Sequence, residues 1–108
     1  MVALVILVVS GSLVSHAKEL TLAWDQNPSE QNVIGYTIWY GHEPRPENII
    51  HPYQQGEWQY PFRITVTTGI AYQLPELPSG NVYFSVTAFN RSEISDFSEE
   101  LHHVVQGN

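Results

Sequence analysis

From Glu19 onward, apolar and polar positions alternate with a period of two rather than 3.6. Leu20, Leu22 and Trp24 alternate with Thr21, Ala23 and Asp25, and Tyr36, Ile38 and Tyr40 with Thr37, Trp39 and Gly41. The pattern returns in Phe62, Ile64 and Val66 against Arg63, Thr65 and Thr67. It is longest where Val82, Phe84, Val86 and Ala88 alternate with Tyr83, Ser85, Thr87 and Phe89. A shorter run, Ala71 to Leu74, stops before Pro75, and a last one spans roughly Glu99 to Val105. Turn-forming clusters separate the runs: Gln26-Asn27-Pro28-Ser29, Thr68-Gly69, Leu77-Pro78-Ser79-Gly80 and Asn90-Arg91-Ser92. No segment carries an apolar stripe at i, i+3, i+4 and i+7 of helical length. Short strands with one apolar face each must pair into two sheets and bury those faces against each other. The pattern predicts an all-β sandwich.

The first 17 residues break the alternation. Val2 to Val9 is an unbroken apolar run, and Ser15 and Ala17 place small residues at −3 and −1 of a break before Lys18. That spacing suits a signal peptidase. The run is too short to cross a ~30 Å hydrocarbon core, which needs roughly 20 apolar residues. The sequence therefore predicts an export signal over 1–17 and a mature domain over 18–108, with no stable membrane span after its removal. No Lys or Arg precedes the run. The competing assignment is a first β-strand, since Val and Ile favour strands; eight consecutive apolar residues without alternation favour the signal.

Composition narrows the function classes. With no Cys among 108 residues, disulfides, thiolate metal sites and cysteine nucleophiles are excluded. Eleven acidic residues against four basic ones give a net charge of −7, which argues against nucleic-acid binding, where Lys and Arg supply the phosphate contacts. The aromatic content is high, with three Trp, six Tyr and four Phe.

LAWD (Leu22 to Asp25), GYTIWYG (Gly35 to Gly41), LPSG followed by VYFSVTAFN (Leu77 to Asn90) and SDFSEEL (Ser95 to Leu101) resemble, in order and spacing, the landmarks of a fibronectin type III domain of the exported bacterial kind. The resemblance covers essentially all of Glu19 to Val105. It implies an immunoglobulin-like sandwich of six to seven antiparallel strands, with LAWD in strand B, GYTIWYG in C, VYFSVTAFN in F and EELHHVV in G. The absent Cys pair agrees, because antibody-type sandwiches bridge B and F. Two departures matter. The tyrosine usual at the E–F corner aligns with Val82, leaving Tyr83 pointing outward, so the corner hydrogen bond is either lost or taken by Tyr83 through an altered register. Strand B begins almost at the cleavage site, so strand A is expected to be short or missing. The exposed edge of B is then either blunted by Lys18 and Glu19 in a truncated domain, the favoured reading, or open to a partner strand.

Candidate chemistry is sparse. His102 and His103 are adjacent on a strand and diverge, as do Glu99 and Glu100. His42 and His51, with Glu43 and Glu47, lack a metal-ligand spacing, so no metal and no cofactor is expected. No nucleophile elbow or phosphate loop occurs, and no enzyme activity is expected. Asp25 is read as a turn former, and the sequon at Asn90 is set aside because it has meaning only in a eukaryotic secretory pathway.

Binding residues are the aromatics that the core does not claim. Trp24, Tyr36, Tyr40, Tyr72 and Phe84 are assigned to the core. Trp39 and Tyr83 project from the outer face of the C–F sheet, and the long connection from His42 to Pro61 carries Tyr53, Trp58 and Tyr60. Long connections are often functional, and exposed rings suit protein hot spots or sugar stacking. The bland alternative is that these rings fold back and enlarge the core. The expectation is thus a secreted, periplasmic or cell-surface module, a monomer or weak oligomer, that binds a protein partner through Trp39, Tyr53, Trp58, Tyr60 and Tyr83. A small carbohydrate-binding module using Trp39, Trp58, Tyr60 and Tyr83 to hold a glycan is the alternative.

Overall fold

Seven strands account for the regular structure of the computed structural model, which describes residues 12–16, 19–24, 26–27, 29–54, 56, 58–74, 77 and 79–105. They are β1 (Ser12–His16), β2 (Glu19–Ala23), β3 (Gly35–Gly41), β4 (Phe62–Val66), β5 (Ala71–Leu74), β6 (Gly80–Phe89) and β7 (Leu101–Val105). One sheet has the order β1-β2-β5 and the other β4-β3-β6-β7, all pairings antiparallel. This is the two-sheet, immunoglobulin-like arrangement of a fibronectin type III domain, with β1 as a five-residue strand A.

The N-terminal strand corrects one expectation. The edge of β2 is not open: Ser12 to His16 pair with Ala23 to Glu19 along its whole length. Leu13 and Val14 lie inside the segment read as an export signal, and β-favouring residues followed by a two-residue connection suit a hairpin as well as they suit an address. The rest of that signal, residues 1–11 and Ala17, lies outside the described residues, as does Asp25.

Alternation translates directly into burial between the sheets. Leu20, Leu22 and Trp24 from β2 and its continuation meet Tyr36 and Ile38 of β3, Val66 of β4, Leu74 of β5, and Val82, Phe84, Val86 and Ala88 of β6, all buried. Tyr40 and Tyr72 are half-buried against this core. Each fully buried Leu, Ile or Phe contributes about 1.5–3 kcal/mol. The ring of Trp24 sits 5.3 Å from that of Tyr36, whose hydroxyl accepts the Asn27 amide at 3.0 Å and ties the β2–β3 loop to the core. Val82 is fully buried and Tyr83 points to the opposite face, so the corner tyrosine of the family pattern is absent from its position.

The outer face of the four-stranded sheet departs from the simple pattern. In β6, every residue from Phe84 to Ala88 is buried, so both faces of the strand are covered. The cover is the 20-residue connection from His42 to Pro61, which crosses that face as a strap, together with residues 94–100. Gly35 and Gly41 bracket the covered stretch of β3. A Cβ at Gly35 would lie 2.5 Å from the Phe89 ring, and one at Gly41 would lie 2.6 Å from the ring of Pro61.

Candidate functional site

The segment between β6 and β7 makes the strap possible. The chain turns at Asn90, whose side-chain oxygen accepts the amides of Ser92 and Glu93 at 2.8 and 2.9 Å, an Asx-type turn. Its side-chain nitrogen donates to the Gln31 carbonyl at 2.9 Å. The sequon residue is thereby built into the loop end of the sandwich. From there the chain runs back along β6, with Ser95 and Ser98 donating their amides to the Ala88 and Val86 carbonyls. The amides of Ala88 and Val86, however, donate to the hydroxyl oxygens of Ser95 and Ser98, both at 2.8 Å, instead of to backbone carbonyls. Those serines close the ladder with side chains. The Phe97 amide donates to Ile50 at 2.8 Å, the Ile94 carbonyl accepts from His51 Nε2 at 2.9 Å, and the Ser98 carbonyl accepts from Arg45 at 3.4 Å. All three partners belong to the strap.

Under the strap lies a second apolar cluster of Trp39, Ile49, Tyr60 and Phe97, with Trp58 half-buried against it. Trp39 meets Phe97 edge-on at 5.5 Å, Tyr60 meets Phe97 at 5.4 Å, and Trp58 meets Tyr60 at 4.8 Å. Such pairs add about 0.5–1.5 kcal/mol beyond their buried area. Trp39 also donates its indole N–H to the Thr87 hydroxyl at 3.0 Å.

A polar network closes this cluster. Glu100 accepts the Arg45 amide with both carboxylate oxygens, at 3.1 and 3.0 Å, and also accepts the Tyr60 hydroxyl. Tyr60 lies 2.8 Å from the hydroxyl of the buried Ser85, which accepts the Arg45 guanidinium at 2.6 Å. The guanidinium rests 4.7 Å from the centre of the Phe97 ring. Burial, then the hydrogen bond to Glu100, pushes the Tyr60 phenol well above its ordinary range, so it stays a donor.

The five aromatics singled out from the sequence therefore have distinct fates. Trp39 and Tyr60 are buried, at 8% and 6% exposure, and Trp58 joins them. Tyr53, on the 3-10 turn Pro52–Gln54, is 79% exposed and leans on the His51 ring at 4.8 Å. Its amide donates to His51 Nδ1 at 3.1 Å, and His51 Nε2 faces the Ile94 carbonyl at 2.9 Å. Tyr83 lies apart from Trp39, stacked on His102 at 4.6 Å with the rings 9° from parallel. His42 and His51 bond separate carbonyls, Asn81 and Ile94, and among the described residues no three metal-ligating side chains converge.

Between the strap and β4 runs a groove of about 320 Å³ lined by Thr37, Trp39, Tyr53, Arg63, Thr65 and Phe89 among others. The register places Thr65, Thr37 and Thr87 side by side across three strands, and Arg63, Trp39 and Ser85 in the next row. The Arg63 guanidinium stands 5.7 Å from the Trp39 ring centre. Among the described residues no carboxylate pairs with it. The lining offers ring faces, hydroxyls and one cation, an inventory for binding. A second hollow of about 310 Å³, lined by His42, Glu43, Trp58, Gln59 and Pro61, opens at the other end of the strap. Sequence reasoning missed Ile49 and Arg45 of the strap and Phe97 and Glu100 that hold it, and passed over Arg63. The alternation did put Arg63 on the same side of its strand as Thr65, and pairing of β3 with β4 puts it beside Trp39.

No protein-family model matches the chain, and no curated protein matches it. Among solved structures it is similar to the crystal structure of the FN1–FN3 domains of chicken CNTN1, with a TM-score of 0.65 and 19% sequence identity. The match covers 93% of this chain and 30% of that one, so the chain spans less than a third of its neighbour's length. At that identity the likeness is one of fold, and the fold is the fibronectin type III sandwich.

Proposed function

We propose that this sandwich is a noncatalytic interaction module working outside the cytoplasm, and that it recognises a protein partner through the groove between the strap and β4. One observation carries the reading. A long connection, which a mere link between β3 and β4 does not need, is clamped by a dedicated aromatic cluster and polar network, and this fixes a groove beside an exposed tyrosine. Preorganised clefts with Tyr, Trp and Arg at hand are where protein hot spots concentrate.

The test is selection of peptides from a displayed random library on the purified domain, run in parallel with a glycan array. Enriched peptides that bind the wild type and not Tyr53→Ala support the reading. Glycan binding with no peptide enrichment replaces it by the carbohydrate module. Export rests on the apolar run and small residues of 1–17, and it meets a physical conflict, because cleavage before Lys18 removes β1 from the β2 edge. N-terminal sequencing of the exported protein decides the matter. A start at Lys18 supports a cleaved signal, and a start upstream of Ser12 keeps β1 and sinks it.

A further inference from the structure

The four-stranded sheet ends at β4, which pairs with β3 on one side only. A strand in that position presents its outward backbone groups for pairing with another chain, and proteins usually protect it with Pro, Gly bulges or inward charges. Phe62 to Val66 contain no Pro or Gly, and their one charge, Arg63, stands on the outer face rather than inward. Two of the other edges, β5 and β7, are less receptive. In β5 the fully exposed positions are Ala71 and Gln73, which give a visitor little to bury. In β7, His102 is engaged by the Tyr83 ring and by the Asn81 side chain at 2.8 Å.

The side chains of β4 specify what should come. On the inner face, Phe62 is 47% exposed, stacked on Tyr40 at 5.1 Å, and Ile64 is half-buried, so an added strand can cover both with apolar residues. On the outer face stand Arg63 and Thr65, which line the groove. Arg63 is a cation on a protein of net charge −7, and among the described residues it has no carboxylate partner. A second copy of the chain would bring another Arg63 rather than its complement.

We infer that β4 is a docking edge for an extended segment of a partner protein that adds as a fifth strand, with apolar residues opposite Phe62 and Ile64 and an acidic residue opposite Arg63. This inference rests on the interaction-module reading and names the partner's chemistry. The backbone ladder at about 4.8 Å spacing supplies affinity that is independent of sequence. The Arg63–carboxylate pair and the covered apolar positions supply the choice of partner.

The probe is a tagged peptide, Val-Thr-Val-Glu-Val-Thr-Val, whose valines share one face and whose Glu sits on the other, compared with its Glu-to-Lys counterpart. The Glu peptide should bind roughly threefold to tenfold more tightly than the Lys peptide, the scale of one cross-strand charge pair. That preference should invert on Arg63→Glu, an exposed position where folding is not at stake. Hydrogen exchange of the β4 amides that point away from β3 should slow on binding, and N-methylation of the peptide along the paired edge should abolish it. Failure of both peptides to bind, or binding with unchanged β4 exchange and no inversion, overturns strand addition. If library peptides still bind through Tyr53 in that case, the interaction module survives without it; if no peptide binds anywhere, both readings fall.

Discussion

Phe84 and Phe97 are buried on opposite sides of the same sheet, at 0% and 8% exposure, and they hold different things in place. Phe84 belongs to the interior shared by both sheets and stacks with Tyr40. Phe97 belongs to a cluster of four buried residues that clamps the strap against β3 and β6. The first core is almost purely apolar and is contributed by regular strands. The second joins aromatic rings and Ile49 to a polar network of Arg45, Glu100, Tyr60 and Ser85, and beside it two serine hydroxyls stand in for carbonyls in the ladder. The inner core should decide whether the domain folds, and the outer one whether the strap, and with it the groove, is in place.

Phe84→Ala should break the first and give the largest effect. A fully buried Phe reduced to Ala costs about 3–5 kcal/mol, a large part of the total stability of a domain this size. Denaturant unfolding should show a lowered midpoint for the whole molecule. Local loosening of the strap, with the midpoint unmoved, would contradict the assignment of Phe84 to the global core.

Glu100→Ala should break the second. It removes the acceptor of the Arg45 amide and one of the partners of the Tyr60 hydroxyl, at about 1–3 kcal/mol for a donor left unsatisfied. Hydrogen exchange should rise at Arg45, Ile49 and Phe97 while Leu22 and Ile38 stay protected. Uniform loss of protection over both sets would mean that the two cores unfold as one.

This contrast also explains what could be read in advance. The sandwich, its interior residues and the outward Tyr83 follow from alternation, because a strand buried on one face carries its burial in every second residue. The outer core follows from no such rule. Glu100 lies at the end of an irregular segment and looked like half of a diverging pair, and Arg45 sits in a connection with no period. Ser95 and Ser98 matter through hydrogen bonds that depend on where β6 lies. Trp39 and Tyr60 resemble surplus surface rings in a linear reading, and their burial arises only when the strap crosses them. The first strand was obscured for another reason, since Leu13 and Val14 suit a sheet and an export signal equally.

A smaller effect comes from Tyr60→Phe and is read through pH. Burial, reinforced by the Glu100 hydrogen bond, holds the folded phenol above its ordinary pKa near 10, at which the unfolded chain ionises. Below that pH both states are protonated, and the stability carried by the neutral phenol is complete. As pH rises beyond about 10 the unfolded state loses its proton first and that stability is lost. Stability of the wild type should therefore fall at alkaline pH more steeply than that of Tyr60→Phe. A residual slope is expected from Tyr40, which burial and the neighbouring Tyr72 also raise. Identical slopes in the two proteins would remove Tyr60 from the polar network that closes the outer core.

Tyr53→Ala should give the smallest effect on stability and separates the strap's architecture from its use. The ring is 79% exposed and touches only His51 among the described rings, so its loss should shift stability within about 0.5 kcal/mol. The backbone bond to His51 Nδ1 comes from the Tyr53 amide and survives the substitution. Peptide binding, in contrast, should weaken, because Tyr53 lines the groove together with Arg63 and Thr65. The pair of measurements is informative because the two kinds of residue are expected to part company: Glu100→Ala disturbs the strap and, through it, binding, whereas Tyr53→Ala removes binding from an intact strap. A Tyr53→Ala protein that melts early yet binds peptides normally would reverse those roles and make Tyr53 a packing residue.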